Sequence, residues 1–340
     1  MNKLMIVPIL LLMFFPSKLA SADEHEFFKG KTIHLIVGTA PGGGFDTYSR
    51  VIARHMGRHI PGNPTIIVDN MPGASFLKSV LHLYNVAKPD GLTIGNWIGT
   101  LVMAQMIGRQ GINFDVRQFE YIGSQVKNHD LCVLTKASGI TSLDRWMNAK
   151  APVKLGATPP GATPYDTAAI VKEALGLPTQ IVAGYNSTRE ITLAAESGEV
   201  AGLCGFAWAS VKSTWRKGLD AGDAVVVLQN TPEPHAELPN MPLAIKSAKT
   251  EEARKLIQLG VHDVSAMTYI YSLPPKTPKN RVQLLRKAFT DTMKDPEFLA
   301  ETKKANLDLD PQSGEQLEKI VKGFFNADPA IVKRLAKLLQ

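Results

Sequence analysis

The sequence predicts an α/β protein of two lobes, each a mostly parallel sheet flanked by helices, with a ligand cleft between them. Three observations predict it. Apolar, β-branched runs alternate with helical patterns through the first two-thirds of the chain, as parallel βαβ units require. One opening, a strand followed by a Gly/Pro loop and a helix, occurs twice, as "IVGTAPGGGFDTYSRVIARHM" and "KLGATPPGATPYDTAAIVKEAL". The length, 340 residues less a 22-residue leader, suits about two domains.

The leader comes first. Lys3 supplies a positive start, "LMIVPILLLMFF" an apolar core, and Ala20-Ser21-Ala22 a small-residue cleavage site. The apolar run is short for a membrane span, and an uncleaved anchor is the alternative. No cysteine follows it to carry a lipid. The expectation is export to the periplasm, cleavage after Ala22, and a soluble mature chain from Asp23. The formal charge of +7 falls to +5 without Lys3 and Lys18, and the rest is scattered. No basic arm for nucleic acid is present, and a mild excess of positive charge suits an anionic ligand.

Strands are expected over 32–38, 65–70, 92–98, 120–126, 131–136, 153–158, 179–184, 200–206 and 224–230. Their continuous apolar character is that of strands buried on both faces. Helices are expected over 46–56, 75–87, 164–175 and 188–197. The last third reads as helical, over 250–264, 278–293, 295–305, 313–325 and 329–339, with Pro and Asp/Asn start signals. The segment "EYIGSQVKNHDLCVLTK" carries the chain between lobes, and a return falls near "AVVVLQN". The expected division is 23–124 plus 229–340 for lobe I and 125–228 for lobe II. Cys132 and Cys204 lie in apolar strand runs; an exported compartment permits a disulfide, and two buried free thiols is the reading favoured here.

The loop "TAPGGGFD" lies between a buried strand and a helix start, at the carboxyl edge where open α/β sheets bind ligands. Backbone amides there face outward at the positive end of the helix dipole, and glycines let a ligand approach. It is neither a dinucleotide fingerprint nor a P-loop, since no G-x-G-x-x-G and no Gly-Lys-Ser/Thr is present. A plain turn with Asp46 as helix cap is the competing reading. The second loop is poorer in donors, because Pro159, Pro160 and Pro164 have no N–H.

These residues resemble the periplasmic substrate-binding proteins of tripartite tricarboxylate transporters, the Bug (Bordetella uptake gene) family. The resemblance runs in order through "IHLIVGTAPGGGFDTYSRVIARHM", "NPTIIVDNMPGAS", "KPDGLTIG", "GATPPGATPYDTAAIVKEAL", "GYNSTREITLAAESGEVAGL", "LPNMPLAI" and "LPPKTPKNRVQLLRKAFTDTMKDPEF", nearly the whole mature chain. It implies a two-lobed periplasmic binding protein, a monomer with no cofactor, metal or catalytic residues, that passes a small organic anion to membrane permease subunits. It implies carboxylate contacts, largely through backbone amides, from the loops that contain Pro41, Gly42, Gly43 and Gly44, and Thr158, Gly161, Ala162 and Thr163; Phe45 and Asp46, next along the first loop, are counted with the candidate ligand-binding residues. Gly99, Thr100, Tyr185 and Asn186 are implied near the cleft. The chain departs from the family at its Pro/Thr-rich second loop, at Gly198-Glu199-Val200-Ala201, and at Gly205-Phe206 where many members carry an Asp. With Phe45, Phe206 and Trp208 placed near the cleft, these departures point to a larger or aromatic carboxylate.

No enzyme constellation is present: neither G-x-S-x-G nor H-E-x-x-H occurs. His55 and His59 share a helix face with Arg54 and Arg58, which reads as a solvated basic face and not a metal site. Arg189 fits a surface role as well as a carboxylate clamp. Two function classes remain, a transport receptor and a periplasmic sensor for a signalling partner. A hydrolase or isomerase is a third.

Overall fold

All nine expected strands form, and the two strand–loop–helix openings fall in different sheets. The computed structural model describes residues 26–339. The expected leader lies outside the described residues. Among them, no helix is long and apolar enough to cross a membrane.

Strands β1 (Thr32–Val37), β2 (Thr65–Asn70), β3 (Thr93–Trp97) and β4 (Glu120–Ser124) belong to the first sheet. Strands β5 (Asp130–Thr135), β6 (Val153–Ala157), β7 (Thr179–Ala183), β8 (Gly202–Ala207) and β9 (Ala224–Gln229) make the second. Two further strands, β10 (Ile270–Leu273) and β11 (Gln312–Ser313), return to the first sheet from the stretch expected to be helical. The orders are β11-β4-β10-β3-β1-β2 and β7-β6-β8-β5-β9.

Each sheet is mixed, for one physical reason. Where a helix crosses over, the strands pair in parallel, as β1 does with β2 and β3, and β6 with β7 and β8. The strands that carry or receive the chain between lobes run against them. β10 lies antiparallel between β3 and β4, and β5 antiparallel between β8 and β9. β10 is four fully buried residues long, too short for a period to show in sequence.

The helices of the last third do two jobs. Lys279–Thr292 packs on β4 and on helix Gly44–Met56, closing a core around Phe28, Leu35 and Phe289. Glu251–Ile257 and Pro329–Leu339 instead pack on helix Thr163–Leu175 of the second lobe. One apolar cluster therefore runs from Trp97 and Tyr121 through Met267 and Leu256 to Ile170 and Leu335. Within it a Cβ on Gly260 would lie 2.5 Å from Ile170 and 2.9 Å from Leu335, so this helix contact requires glycine. The expected helix over 250–264 forms with one π turn, Gln258–His262, in its middle.

One expectation is overturned here. Cys132 and Cys204 are not free thiols; they are joined in a disulfide. They sit on the neighbouring antiparallel strands β5 and β8, fully buried, and pairing of strands 72 residues apart is invisible to local sequence.

Candidate functional site

The first glycine loop is braced from below and open above. Gly42 has φ +91, and its amide donates to Asp46 Oδ2 at 2.9 Å. Asp46 is 3% exposed, and its two oxygens also accept from Arg50 (2.9 Å) and Asn70 Nδ2 (2.9 Å). The Arg50 bond, aided by those from Gly42 and Asn70, holds its carboxyl down at about 2 against the opposing cost of burial. With this set of partners Asp46 shapes the loop. Pro41, Gly42, Gly43 and Gly44 are exposed, and no side chain caps the start of helix Gly44–Met56. Phe45 packs between Phe76 (4.5 Å between ring centres) and Tyr269 (4.4 Å).

The second loop repeats the device. Gly161, also at φ +91, donates its amide to Asp166 Oδ1 at 2.8 Å. Burial is the main influence on Asp166 and pushes its carboxyl up to about 6. The Ala162 amide is spent on the Pro159 carbonyl (3.3 Å). Thr163 opens the following helix, where the N-cap Ala162 gives no side-chain bond. The Thr158 hydroxyl is buried without a partner, as is that of Thr39 at the matching place in the first loop. Arg109, from the first lobe, lays its guanidinium over Gly161 and donates to the Leu339 carbonyl at 2.9 Å.

A cavity of about 450 Å³ opens between the lobes. Gly44, Tyr48 and Tyr269 line it from the first lobe, His129 from the crossing segment, Trp208 from the second lobe, and His235 from the segment that returns after β9. The Tyr269 phenol would lie 3.1 Å from a Cβ on Gly44; burial pushes it up to about 12. Tyr48, raised further by burial, donates to the Asp308 carbonyl at 2.8 Å. Trp208 is 9% exposed; its indole donates to Glu237 at 3.1 Å, and Lys212 reaches over its ring and bonds the same carboxylate at 2.8 Å. Burial, then His235, lowers the His129 imidazole, while Asp310 and Asp308 pull it upward.

Of the residues named from sequence, this cavity gathers Gly44 and Trp208. Phe206 is placed elsewhere: it is 1% exposed and packs in the core of the second sheet near Trp215. It faces inward because its strand is covered on that side, so it is no wall for a ligand. Tyr185 donates to Glu199 at 2.7 Å, and Asn186 bonds Glu190 through its amide and side chain, both outside the cavity lining. Thr100 is half-buried at a helix start behind Gly99, whose amide bonds the Met267 carbonyl at 2.8 Å. Thr158, Gly161, Ala162 and Thr163 do not line the cavity either. Arg189 is exposed.

Sequence reasoning missed Tyr48, His129, His235 and Tyr269. A usable signal existed for His129, which lies in the "QVKNHD" segment already read as crossing between lobes. The His55 and His59 face is also corrected. It is not a solvated face but the contact with helix Pro296–Lys304. There His55 meets Glu301 (2.6 Å), His59 meets Asp295 (2.9 Å), and Arg58 spans Asp295 (3.3 Å) and Glu297 (2.5 Å). The arginines neutralise the carboxylates a cation would need, and the result is an ion-pair lattice between helices.

Comparison with known proteins then places the chain. Residues 49–337 match the family model of the tripartite tricarboxylate transporter family receptor. Curated proteins give no match. Among solved structures it is similar to a TctC solute binding protein from Polaromonas (TM-score 0.71, 18% identity, 90% of this chain and 98% of that one). It is similar to an R. palustris protein with adipate (0.64, 17%, 91% and 97%). MatC from Rhodopseudomonas palustris with bound malate is also similar (0.62, 16%, 91% and 99%). At these identities the structures bear on the fold alone.

Proposed function

Because the chain belongs to the tripartite tricarboxylate transporter receptor family, a family of binding proteins and not of enzymes, we propose that it captures a small organic carboxylate between its lobes and delivers it to membrane permease subunits. The observation that carries this reading is the interlobe cavity, where the uncapped start of helix Gly44–Met56 meets His129 and Trp208. A free helix start concentrates N–H donors and positive potential, which a carboxylate completes. Family relatives solved with adipate and malate support the ligand class.

The lobes of this reading are 23–124 with 229–340, and 125–228. The loop of Pro41, Gly42, Gly43 and Gly44 holds the ligand, with the Gly43 and Gly44 amides as donors and Pro41 and Gly42 shaping the turn, and Thr158, Gly161, Ala162 and Thr163 meet it as the lobes close. The protein works in the periplasm as a monomer after cleavage at Ala22, which the mass of the exported chain tests. A thermal-shift screen of carboxylates on protein refolded free of ligand tests the binding. A ligand at 100 times its Kd adds about 2.7 kcal/mol, a plain rise in Tm. No rise with any mono-, di- or tricarboxylate overturns the reading. Co-purification with the transporter's membrane subunits tests the partner.

A further inference from the structure

The cavity holds two imidazoles that no loop motif accounts for. His129 and His235 meet edge to face, with ring centres 4.7 Å apart and planes at 88°. The Glu237 backbone amide donates to His235 Nδ1 at 3.1 Å. An amide can only donate, so Nδ1 carries no proton and the neutral ring bears its N–H at Nε2. His129 is fixed through its backbone, whose carbonyl accepts the Trp208 amide at 2.9 Å. Neither His235 Nε2 nor either ring nitrogen of His129 bonds another described residue at hydrogen-bond distance.

The charges around the pair are largely matched. Glu237 is held by Lys212 (2.8 Å) and the Trp208 indole (3.1 Å), and Asp310 by Lys127 (3.3 Å). Asp308 also lines the cavity, and its backbone carbonyl is taken by Tyr48. Burial and His235 together with Lys127 depress His129, against Asp308 and Asp310. His129 is thus held below its ordinary value, and the two rings offer the cleft N–H donors that lack acceptors among the described residues.

We propose that His129 and His235 form a side-chain subsite for one carboxylate of the ligand, separate from the helix start at Gly44, so that the cavity takes a dicarboxylate by both ends. The inference rests on the receptor reading above and adds a recognition element to it. A bound carboxylate favours the imidazolium form of His129, while His235 donates from Nε2, so binding draws a proton and tightens as pH falls from 8 to 6, where the ligand stays ionised.

The test is calorimetric titration of ligand-free protein with adipate and with hexanoate at pH 6, 7 and 8, on wild type, His129→Gln, His235→Gln and the double variant. Gln at 235 keeps an acceptor for the Glu237 amide, and unfolding midpoints check that each variant folds. We expect each single variant to weaken adipate about tenfold, the order of one charge-assisted hydrogen bond, and hexanoate less than adipate. The pH dependence of adipate binding should vanish in the double variant. Equal losses for both acids, or a pH dependence that survives in the double variant, overturn the subsite while leaving the receptor reading standing. Failure of wild type to bind either acid, or any other carboxylate in the screen, removes both.

Discussion

The Asp46 carboxylate accepts the Gly42 amide at 2.9 Å and thereby holds a glycine at φ +91, two residues before the Gly44 that lines the interlobe cavity. Asp166 does the same for Gly161 in the other lobe at 2.8 Å. Asp46, which looks from sequence like a ligand group or cap, is the brace of its loop, and Asp166 has the same part in the other lobe.

The first prediction concerns that brace. Asp46→Asn should destabilise the protein by about 1–3 kcal/mol at pH 7, the usual cost of breaking a buried, charge-assisted bond. The folded carboxyl sits at about 2, below its ordinary 3.8, so its stabilisation is present above pH 4 and is lost as pH falls through 2. Urea unfolding against pH should show the acid limb between pH 4 and 2 flattened in the variant. An unchanged limb would show that the Arg50–Asp46 pair contributes nothing.

Two glycines with the same backbone should respond unequally. Gly42→Ala and Gly161→Ala both place a side chain at φ +91, at a shared strain of about 1–2 kcal/mol. Nothing lies near a Cβ on Gly42, whereas one on Gly161 runs into the Arg109 guanidinium. Gly161→Ala should therefore cost more, and the excess should disappear in an Arg109→Ala background. A double-mutant cycle in urea measures it; equal costs in both backgrounds would rule out the clash.

The disulfide is a stability element and not part of the chemistry. It closes 72 residues, and chain-entropy arguments assign about 4 kcal/mol to a loop of that length. Cys132→Ala with Cys204→Ala, or reduction of the wild type, should lower the midpoint by that order. Ligand affinity of the folded fraction should stay within about threefold, since additivity holds for groups without shared partners. A large affinity loss at unchanged stability would refute this.

Phe206 and Trp208 are two residues apart and should part company. Phe206→Ala removes a fully buried ring and should cost about 3–5 kcal/mol of stability. Trp208→Phe keeps much of the packing but deletes the indole donor to Glu237, freeing that carboxylate beside the cavity. We expect it to weaken an anionic ligand with a smaller loss of stability. The reverse pattern by calorimetry and thermal unfolding would reassign both side chains.

The sequence by itself determined the repeated strand–loop–helix unit, nine of the eleven strands of the two sheets and most helices. Those features are written in local periodicity and in Gly/Pro punctuation, which act within about fifteen residues. The glycine loops were legible for the same reason. Tertiary structure alone decided what those loops touch. Four buried residues, Ile270–Leu273, became a strand because β3 and β4 left a gap between them. Cys132 met Cys204 because β5 and β8 are neighbours. Phe206 turned into the core while Trp208 reached the cavity wall. His129 and His235, 106 positions apart in sequence, came to within 4.7 Å only because the chain crosses between the lobes and back. Contacts at such separations depend on how layers stack, and no pattern along the chain encodes that stacking.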